Sequence, residues 1–269
     1  MTEPFVHRNE SYLHIEKWQK INPKLMAGFT VRNGGVSSPP FHALNCGLHV
    51  NDDPDNVIEN KKLLSKKIHI PMENWVSGEQ IHQTNVKQIT SEDKGKGSTS
   101  YGTAIKGIDG MITNSGGVLC TAFFADCVPL FFYDPKTGYI GLAHAGWKGT
   151  VNRMAGKMVQ KLQNKGVNTA DLLVAIGPCI SQNFYEVDEN VIKHIPSDLR
   201  KNTVLPNGKN HSLLDLKQIN VDILLQSGVL RHNIDITNYC TFYDENLFFS
   251  HRRDNGKTGR MLGFLGFTA

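Results

Sequence analysis

Three short apolar runs, VLCTAFF, VPLFFYD and YIGLAHA, follow one another over residues 118–145 and constrain the fold of this chain most strongly. Each run is rich in β-branched and aromatic residues, is bounded by turn-forming residues and is short for a buried helix. The runs therefore predict strands over 118–124, 128–134 and 139–145. The connection DPKTG over 134–138 predicts that the last two strands form a hairpin.

Three helices are expected between these and other strands. The first begins at Asp53-Pro54, a capping residue followed by proline at the first helical position, and continues through VIENKKLLSKK. The second covers 150–164, ends before Gly166 and carries apolar residues at i, i+4 and i+8 on one face. The third lies near 216–226.

The remaining strands are expected over 26–31, over 172–177 and around the C-terminal MLGFLGF. Hairpins and helices are mixed without regular βαβ alternation, which predicts an α+β fold with antiparallel or mixed sheets. No internal repeat or low-complexity linker divides the sequence. We therefore predict one domain over 1–269.

Composition and charge exclude several classes of protein. A net charge of +4 is too mild for a dedicated nucleic-acid binder, and no run of eighteen apolar residues could span a membrane. The N-terminus lacks the pattern of a signal peptide. Five cysteines, none in a CxxC pair, indicate free thiols in the reducing cytoplasm. The sequence is compatible with a monomer and with an oligomer.

Two clusters of basic residues have different expected roles. KKLLSKK over 61–67 places its lysines on the outer side of the first helix, which predicts a solvated face. HRRDNGKTGR over 251–260 is irregular and punctuated by glycine, so a loop presents its arginines and an anion site is an alternative to a structural role. The polar segment 91–107 is either surface or a lid, and surface is favoured.

Imidazole and thiol side chains occur in three well-punctuated stretches: SGEQIHQTN around His82, FFADCVPLF around Cys127 and GLAHAGWKG around His144. Three protein ligands and one open position are the usual arrangement of a catalytic zinc ion. The spacing alone matches no compact zinc motif. A buried free cysteine with two hydrogen-bonded histidines is therefore the alternative that the residues leave open.

The stretch HAGWKGT joins the strand that ends near His144 to the following helix, predicted to open at Thr150. Backbone N–H groups near Lys148 and Thr150 would then point outward, where they could receive an anion. Gly146 and Gly149 permit a close approach of the ligand. The stretch lacks the Walker A pattern, so we predict only an oxyanion or phosphate cradle beside the metal.

Eight blocks in order resemble the multicopper polyphenol oxidoreductase or laccase-domain family, the YfiH/YlmD-like proteins described as purine nucleoside phosphorylases with adenosine deaminase activity. The blocks are RNGGVS, NCGLHVNDDPDNV, QIHQTNV, IDGMIT, ADCVPL, AHAGWKGT, AIGPCIS and FFSHRRDNGKTGR. The resemblance covers most of the chain. It implies a layered α/β/β/α sandwich with mixed sheets and metal ligation by His82, Cys127 and His144.

The activity implied by the resemblance is zinc-dependent phosphorolysis of adenosine, inosine and, as a further candidate, methylthioadenosine, with adenosine deamination as a second activity. Cu²⁺ is the alternative ion, and the partners are a purine nucleoside and phosphate. Deamination needs water activated for attack on C6 of adenine and a group that shuttles protons. Candidate catalytic residues are Asp109, Asp126 and Lys148, with Glu79 as a further proton carrier. Candidate substrate contacts are Arg32, Gln80, Arg252, Arg253 and Arg260.

Two other enzyme classes and a binding module compete with this interpretation. Four-copper oxidase chemistry needs paired histidines in HxH arrangements, and the eleven histidines include no such pair. A copper-dependent polyphenol oxidase is therefore disfavoured. A metal-free cysteine hydrolase or deamidase would use Cys127 as nucleophile and His144 as base. A non-catalytic interaction module would need none of the three ligands.

Overall fold

The computed structural model describes residues 2–268. The strands in this part of the chain are Val6–His7 (β1), Tyr12–His14 (β2), Leu25–Thr30 (β3), Trp75–Ser77 (β4), Val86–Gln88 (β5), Gly110–Thr113 (β6), Leu119–Phe124 (β7), Val128–Tyr133 (β8), Ile140–Ala145 (β9), Leu173–Ile176 (β10), Glu186–Asp188 (β11), Val204–Pro206 (β12), His211–Leu214 (β13), Ile234–Ile236 (β14) and Met261–Phe267 (β15). The α-helices are Glu16–Ile21 (α1), Pro54–Ile68 (α2), Trp147–Val151 (α3), Met154–Gln163 (α4), Glu189–Ile192 (α5), Ser197–Arg200 (α6) and Leu216–Gln226 (α7).

Two six-stranded mixed sheets form the centre of the fold. The first has the order β1-β2-β3-β15-β7-β4, with β4 parallel to β7 and the other pairs antiparallel. The second has the order β14-β10-β8-β9-β6-β5, with parallel pairs at its two edges. A smaller antiparallel sheet of β11, β13 and β12 pairs with neither of them, but its Val187 and Leu214 pack into the same apolar cluster as the second sheet.

The apolar side chains divide into three layers of core. Phe29, Phe124 and Phe131 belong to the cluster between the two large sheets. Helix α2 covers the other face of the first sheet through Leu64 and Ile68. Helices α4 and α7 cover the second sheet in the same way. The predicted α+β fold, a layered α/β/β/α sandwich with mixed sheets, is confirmed.

The strands predicted from the apolar runs over 118–145 are present, shifted by one residue at most at each end. β8 and β9 form the predicted antiparallel hairpin, and the backbone N–H of Gly138 donates to the carbonyl of Asp134 at 3.0 Å. β7, however, belongs to the first sheet and β8 to the second. The chain therefore passes from one sheet to the other at residues 125–127.

The helix predicted over 150–164 is confirmed over 154–163, but the prediction of one uninterrupted helix from Thr150 is wrong. Helix α3 covers Trp147–Val151, and α4 begins at Met154. Arg153, between them, has a φ of 62° in the left-handed region, which interrupts the helix. The N–H of Thr150 donates to the carbonyl of Gly146 at 2.8 Å and is not available to an anion. The cradle predicted from Lys148 to Thr150 therefore lacks the N–H of Thr150 as a donor. Met154 and its i+4 and i+8 neighbours are buried on one face, as predicted.

The start of α2 is as predicted, but its lysine face is not fully solvated. The side chain of Asp53 caps the helix by accepting from the N–H of Asp55 at 3.0 Å. Lys61 is completely buried, and its Nζ donates to the carbonyls of Ser98 at 2.8 Å and Gly97 at 3.4 Å. Burial lowers the pKa of Lys61 to about 8. This lysine thus ties α2 to segment 91–107.

Within residues 2–268, none of the helices combines the length and apolar character needed to cross a membrane. All five cysteines are free thiols, as predicted. The assignment of 1–269 to one domain stays a prediction.

Candidate metal centre

His82, Cys127 and His144 come from separate parts of the chain and meet between the two large sheets. His82 lies in the connection after β4, Cys127 in the crossing from β7 to β8, and His144 near the end of β9. Their ligand atoms all lie within 4.8 Å of one another. His144 is buried, Cys127 is half-buried and His82 is exposed. The structure therefore brings the three predicted ligands together.

The crossing that carries Cys127 is anchored by its neighbour Asp126, whose φ is 81°. The Asp126 carboxylate accepts hydrogen bonds from Thr241 Oγ1 at 2.7 Å, from Ser250 Oγ at 3.0 Å and from the N–H of Arg252 at 2.7 Å. These bonds fix the crossing against the segment before β15. Both carboxylate oxygens are engaged, which favours a structural function for this predicted catalytic residue.

Asp109 holds the two histidines in place. Its Oδ1 accepts from the N–H of His82 at 3.0 Å and pairs with Nδ1 of His144 at 2.9 Å. Its Oδ2 accepts from the N–H groups of Gln83 at 2.8 Å and Ile81 at 3.2 Å. Because a carboxylate only accepts, Nδ1 of His144 carries a proton, and Nε2 is the nitrogen that can bind a metal ion after losing its own proton. This pairing is typical of histidines that bind metal ions.

The charges at the centre favour a thiolate. Burial raises the pKa of Cys127, but attraction to His144 and hydrogen bonds from His144 and His82 outweigh it and lower that pKa to about 6. Burial lowers the pKa of His144, but Cys127 and Asp109 outweigh it and raise that pKa to about 9. The thiolate is the form of cysteine that binds metal ions.

Gly146 leaves the space in which the three side chains converge. A Cβ at this position would lie 3.0 Å from Cys127 Sγ, 3.0 Å from Cδ2 of His82 and 3.7 Å from Cε1 of His144. Any other residue would push at least two of the three side chains apart. Two imidazoles and one thiolate form a donor set that suits Zn²⁺ with one further position open, and Cu²⁺ is compatible with the same donors.

A cavity of about 430 Å³ opens beside the three side chains. One wall is mostly apolar and is formed by Trp147, Ile180, Tyr185 and Leu216. We call the part of the lining that includes His49 and Arg260 the polar wall. Cavities that bind small molecules combine apolar walls with a few polar groups and commonly have volumes of about 300–1,000 Å³.

The predicted substrate arginines separate into two groups. Arg252 and Arg260 line the cavity, and each directs one guanidinium nitrogen, Nη1, to backbone carbonyls. Arg253 instead binds Asp254 and the carbonyls of three residues, so its guanidinium is used within the protein. Arg32 binds the carbonyls of two residues in nearby loops. Neither of these two residues is in the cavity lining that the structure describes.

The other predicted residues lie at different distances from the cavity. Gln80 lines it, but its side-chain amide bonds the backbone N–H of Phe123 at 2.7 Å and the carbonyl of the same residue at 2.9 Å. Lys148 is exposed, with Nζ 5.6 Å from the ring centre of Trp147. Glu79 pairs with Lys106 at 3.7 Å.

Sequence reasoning missed several cavity residues, among them His49, Trp147 and Tyr185. His49 and Trp147 lie within the NCGLHVNDDPDNV and AHAGWKGT blocks, which offered a signal that was not used. Tyr185 stands outside every block. His49 is exposed, and its ring packs against the rings of Tyr101 and Phe123. Burial and the charge of Arg260 lower the pKa of His49.

A sequence model of the family described as "Multi-copper polyphenol oxidoreductase laccase" matches residues 26–268. The chain is 42% identical to the purine nucleoside phosphorylase YlmD of Bacillus subtilis (strain 168), over 98% of this chain and 97% of that protein. It superposes on the hypothetical protein YfiH of Bacillus licheniformis with a TM-score of 0.95 and 40% identity, over 99% and 100% of the two chains. YlmD of Geobacillus stearothermophilus gives a TM-score of 0.94 and 39% identity, over 100% of both chains.

Proposed function

The chain belongs to the multi-copper polyphenol oxidoreductase laccase family, and from that premise we propose that it is a zinc-dependent purine nucleoside phosphorylase. Curated relatives of the same length bear the name purine nucleoside phosphorylase. The observation that carries the proposal is the convergence of His82, Cys127 and His144 at the wall of a cavity.

His82, Cys127 and His144 would hold the ion, with the open side facing the cavity. Bound there, Zn²⁺ would supply a Lewis acid that polarises an oxygen ligand and favours its deprotonation. Asp109 holds His144 in the tautomer that leaves Nε2 for the ion, and it fixes the backbone of the His82 loop through three N–H groups. We therefore assign Asp109 a positioning role, and we assign Asp126 a similar role for Cys127.

The apolar wall of the cavity suits a purine base. The rings of Trp147 and Tyr185 offer faces for stacking, and Ile180 and Leu216 complete an apolar surface that excludes water from the base. Arg252 lies with its guanidinium carbon 5.0 Å from the ring centre of Tyr185 and leaves Nε and Nη2 for polar atoms of the substrate. A nucleoside held on this wall would place its sugar toward the metal centre.

Phosphorolysis transfers the ribosyl group from the base to phosphate. A phosphate oxygen forms a bond to C1′, the bond between C1′ and the purine nitrogen breaks with its electron pair going to the base, and the base takes up a proton. The transition state has oxocarbenium character, so positioning of phosphate and base supplies most of the acceleration. Adenosine and inosine are the proposed substrates, with methylthioadenosine as a further candidate.

Deamination of adenosine is proposed as a second activity of the same cavity, with Cu²⁺ as an alternative ion in place of Zn²⁺. We propose Glu79 as a candidate for proton transfer and Lys148 as a candidate anchor for phosphate or substrate. The free thiols support the prediction of a reducing cytoplasmic location. The oligomeric state stays open.

The row of interacting side chains from Cys127 through His144 to Asp109 supports one competing function. Without a metal ion, the depressed pKa of Cys127 and the Asp109 bond to His144 resemble the activation of a cysteine nucleophile, so a metal-free cysteine hydrolase or deamidase is the alternative. A cysteine hydrolase needs no metal ion, so metal content separates the two functions. A preparation that contains no zinc, yet is active and is inactivated by alkylation of Cys127, would favour the hydrolase.

The test combines metal analysis with turnover. The variants His82→Ala, Cys127→Ala and His144→Ala are each assayed for zinc content and for phosphate-dependent cleavage of adenosine, with the exposed His232→Ala as the matched control. The proposal predicts that the three variants lose zinc and cleavage together while the control keeps both. Full zinc and full turnover in all three would refute it.

A further inference from the structure

We propose that His49 and Arg260 together form an oxyanion subsite on the polar wall of the cavity, and that this subsite binds inorganic phosphate. The identity of the anion as a co-substrate rests on the phosphorolysis proposed above. The subsite itself rests on the local geometry of the segment around Gly47 and on the donors that it leaves facing the cavity.

The backbone of this corner is fixed by one buried amide. Asn45 is fully buried, and its Oδ1 accepts from the N–H of Gly47 at 3.0 Å and from the N–H of Arg260 at 2.9 Å. The N–H of Cys46 donates to the carbonyl of Arg260 at 3.1 Å. Segment 45–47 is therefore locked against the start of β15, which sets where both side chains of the subsite begin.

Gly47 lets the two side chains lie next to each other. A Cβ at this position would lie 2.8 Å from Cγ of Arg260 and 3.2 Å from Cε1 of His49. The arginine stem and the imidazole ring therefore both pack over bare backbone. A larger residue at position 47 would displace one of the two, so the pair and the glycine form one unit.

The donors of the pair are directed to the cavity. Nη1 of Arg260 binds the carbonyls of Thr258 at 2.8 Å and Gly259 at 3.0 Å, which fixes the plane of the guanidinium and leaves Nε and Nη2 for a ligand. The ring of His49 is held by the rings of Phe123 and Tyr101, with centres 5.4 Å and 5.8 Å away, and both line the small recess behind it. Among residues 2–268, no protein group hydrogen-bonds to the ring nitrogens of His49.

A tetrahedral oxyanion matches these donors. A guanidinium with two free N–H directions recognises phosphate oxygens in a fork, and the imidazole adds one neutral donor beside it. Asp126 is the carboxylate in the described cavity lining, and its oxygens already accept three hydrogen bonds. A bound anion would therefore meet little repulsion from this carboxylate. Its negative charge would be attracted to the guanidinium of Arg260.

The subsite also has the right position for the reaction. The apolar wall of Trp147, Tyr185 and Leu216 receives the base, whereas His49 and Arg260 belong to the polar wall of the same cavity. Phosphate and nucleoside would therefore be held together in one cavity. Holding both reactants in place favours the transfer of the ribosyl group.

The experiment measures binding and turnover separately in His49→Gln and Arg260→Lys. Binding of inorganic phosphate is followed by calorimetry, and steady-state kinetics give KM for phosphate and for adenosine. Loss of one charge-assisted contact predicts that phosphate binding weakens and KM for phosphate rises by about 10- to 100-fold. KM for adenosine should change less than threefold. His232→Gln and Arg8→Gln, both far from the cavity lining, serve as matched controls.

The His49→Gln variant should fold, because the imidazole makes no hydrogen bond within the described chain. Thermal unfolding of each variant checks that it is folded. Wild-type affinity for phosphate in both variants would overturn the subsite. Unchanged phosphate binding with loss of adenosine 5′-monophosphate binding would also overturn it, because the anion would then be a substrate phosphoryl group. If phosphate binding is lost in both variants while the wild-type protein cleaves no nucleoside, the subsite stands and the proposed function fails.

Discussion

The substitution Gly146→Ala tests the metal centre through geometry alone. The backbone of Gly146, with φ −65° and ψ 175°, is open to alanine, so the effect comes from the added methyl group. That methyl would lie 3.0 Å from Cys127 Sγ and 3.0 Å from Cδ2 of His82. These contacts are closer than the optimal separation of about 3.5–4.0 Å, so each side chain must move away by a few tenths of an ångström.

A shift of that size exceeds the tolerance of a metal site, where ligand distances hold within about 0.2 Å. We expect the affinity for Zn²⁺ to fall by about 10- to 100-fold, comparable to the loss of a residue that orients a ligand. The overpacking should also lower the free energy of unfolding by about 1–3 kcal/mol. Competition with a chelator measures the affinity, and denaturant unfolding of the metal-free protein measures the stability.

Gly149→Ala is the matched control, three residues further along the chain and within α3. Its added methyl would lie 3.4 Å or more from every neighbour, an ordinary contact, and alanine in a helix is favoured over glycine by about 1 kcal/mol. We expect full zinc affinity and equal or greater stability. The reasoning is wrong if Gly146→Ala binds Zn²⁺ as tightly as the Gly149→Ala control.

Three further predictions follow from buried ionisable groups. Asp109→Asn should weaken Zn²⁺ binding by about 10-fold or more, because His144 loses the carboxylate that sets its tautomer; chelator competition measures this, and unchanged affinity would contradict it. Burial lowers the pKa of Lys61 to about 8, so between about pH 8 and 10.5 the unfolded chain holds a proton that the folded chain has lost, and stability rises with pH. Relative to Lys61→Met, the wild-type unfolding free energy should gain up to about 3 kcal/mol across that window, and a constant difference would refute the assignment. Burial lowers the pKa of His14 to about 4 and its ring nitrogens lack partners, so stability present above pH 6.5 should be lost as pH falls toward 4. Denaturant unfolding at several pH values should show that the free energy of unfolding falls less in His14→Leu than in the wild type. An equal fall in both proteins would show that other groups are responsible.

Two of the three metal ligands follow from strand pairing that the sequence could predict. The hairpin aligns Val128 with Ala145 and Pro129 with His144, which brings Cys127, the residue before β8, next to the end of β9. Apolar runs and a turn were enough to predict this pairing. The position of His82 could not be predicted in this way, because its loop is held by Asp109, which is 27 residues further along the chain.

The remaining differences arise from contacts between distant segments. Lys61 is buried because the carbonyls of Gly97 and Ser98 accept its hydrogen bonds, and neither helical periodicity nor charge counts reveal that partner. Arg252 and Arg253 are adjacent in sequence, yet one lines the cavity and the other binds Asp254 and backbone carbonyls. Loop residues of the same type therefore cannot be ranked without the surrounding backbone.

The most direct test of the central claim is an anomalous difference map at the zinc absorption edge, from crystals of the protein purified with its native metal. The account predicts one peak, about 2.0–2.3 Å from an imidazole nitrogen of His82, from Nε2 of His144 and from Sγ of Cys127. A peak bound elsewhere, or the absence of any peak at these three side chains after addition of Zn²⁺, would contradict it.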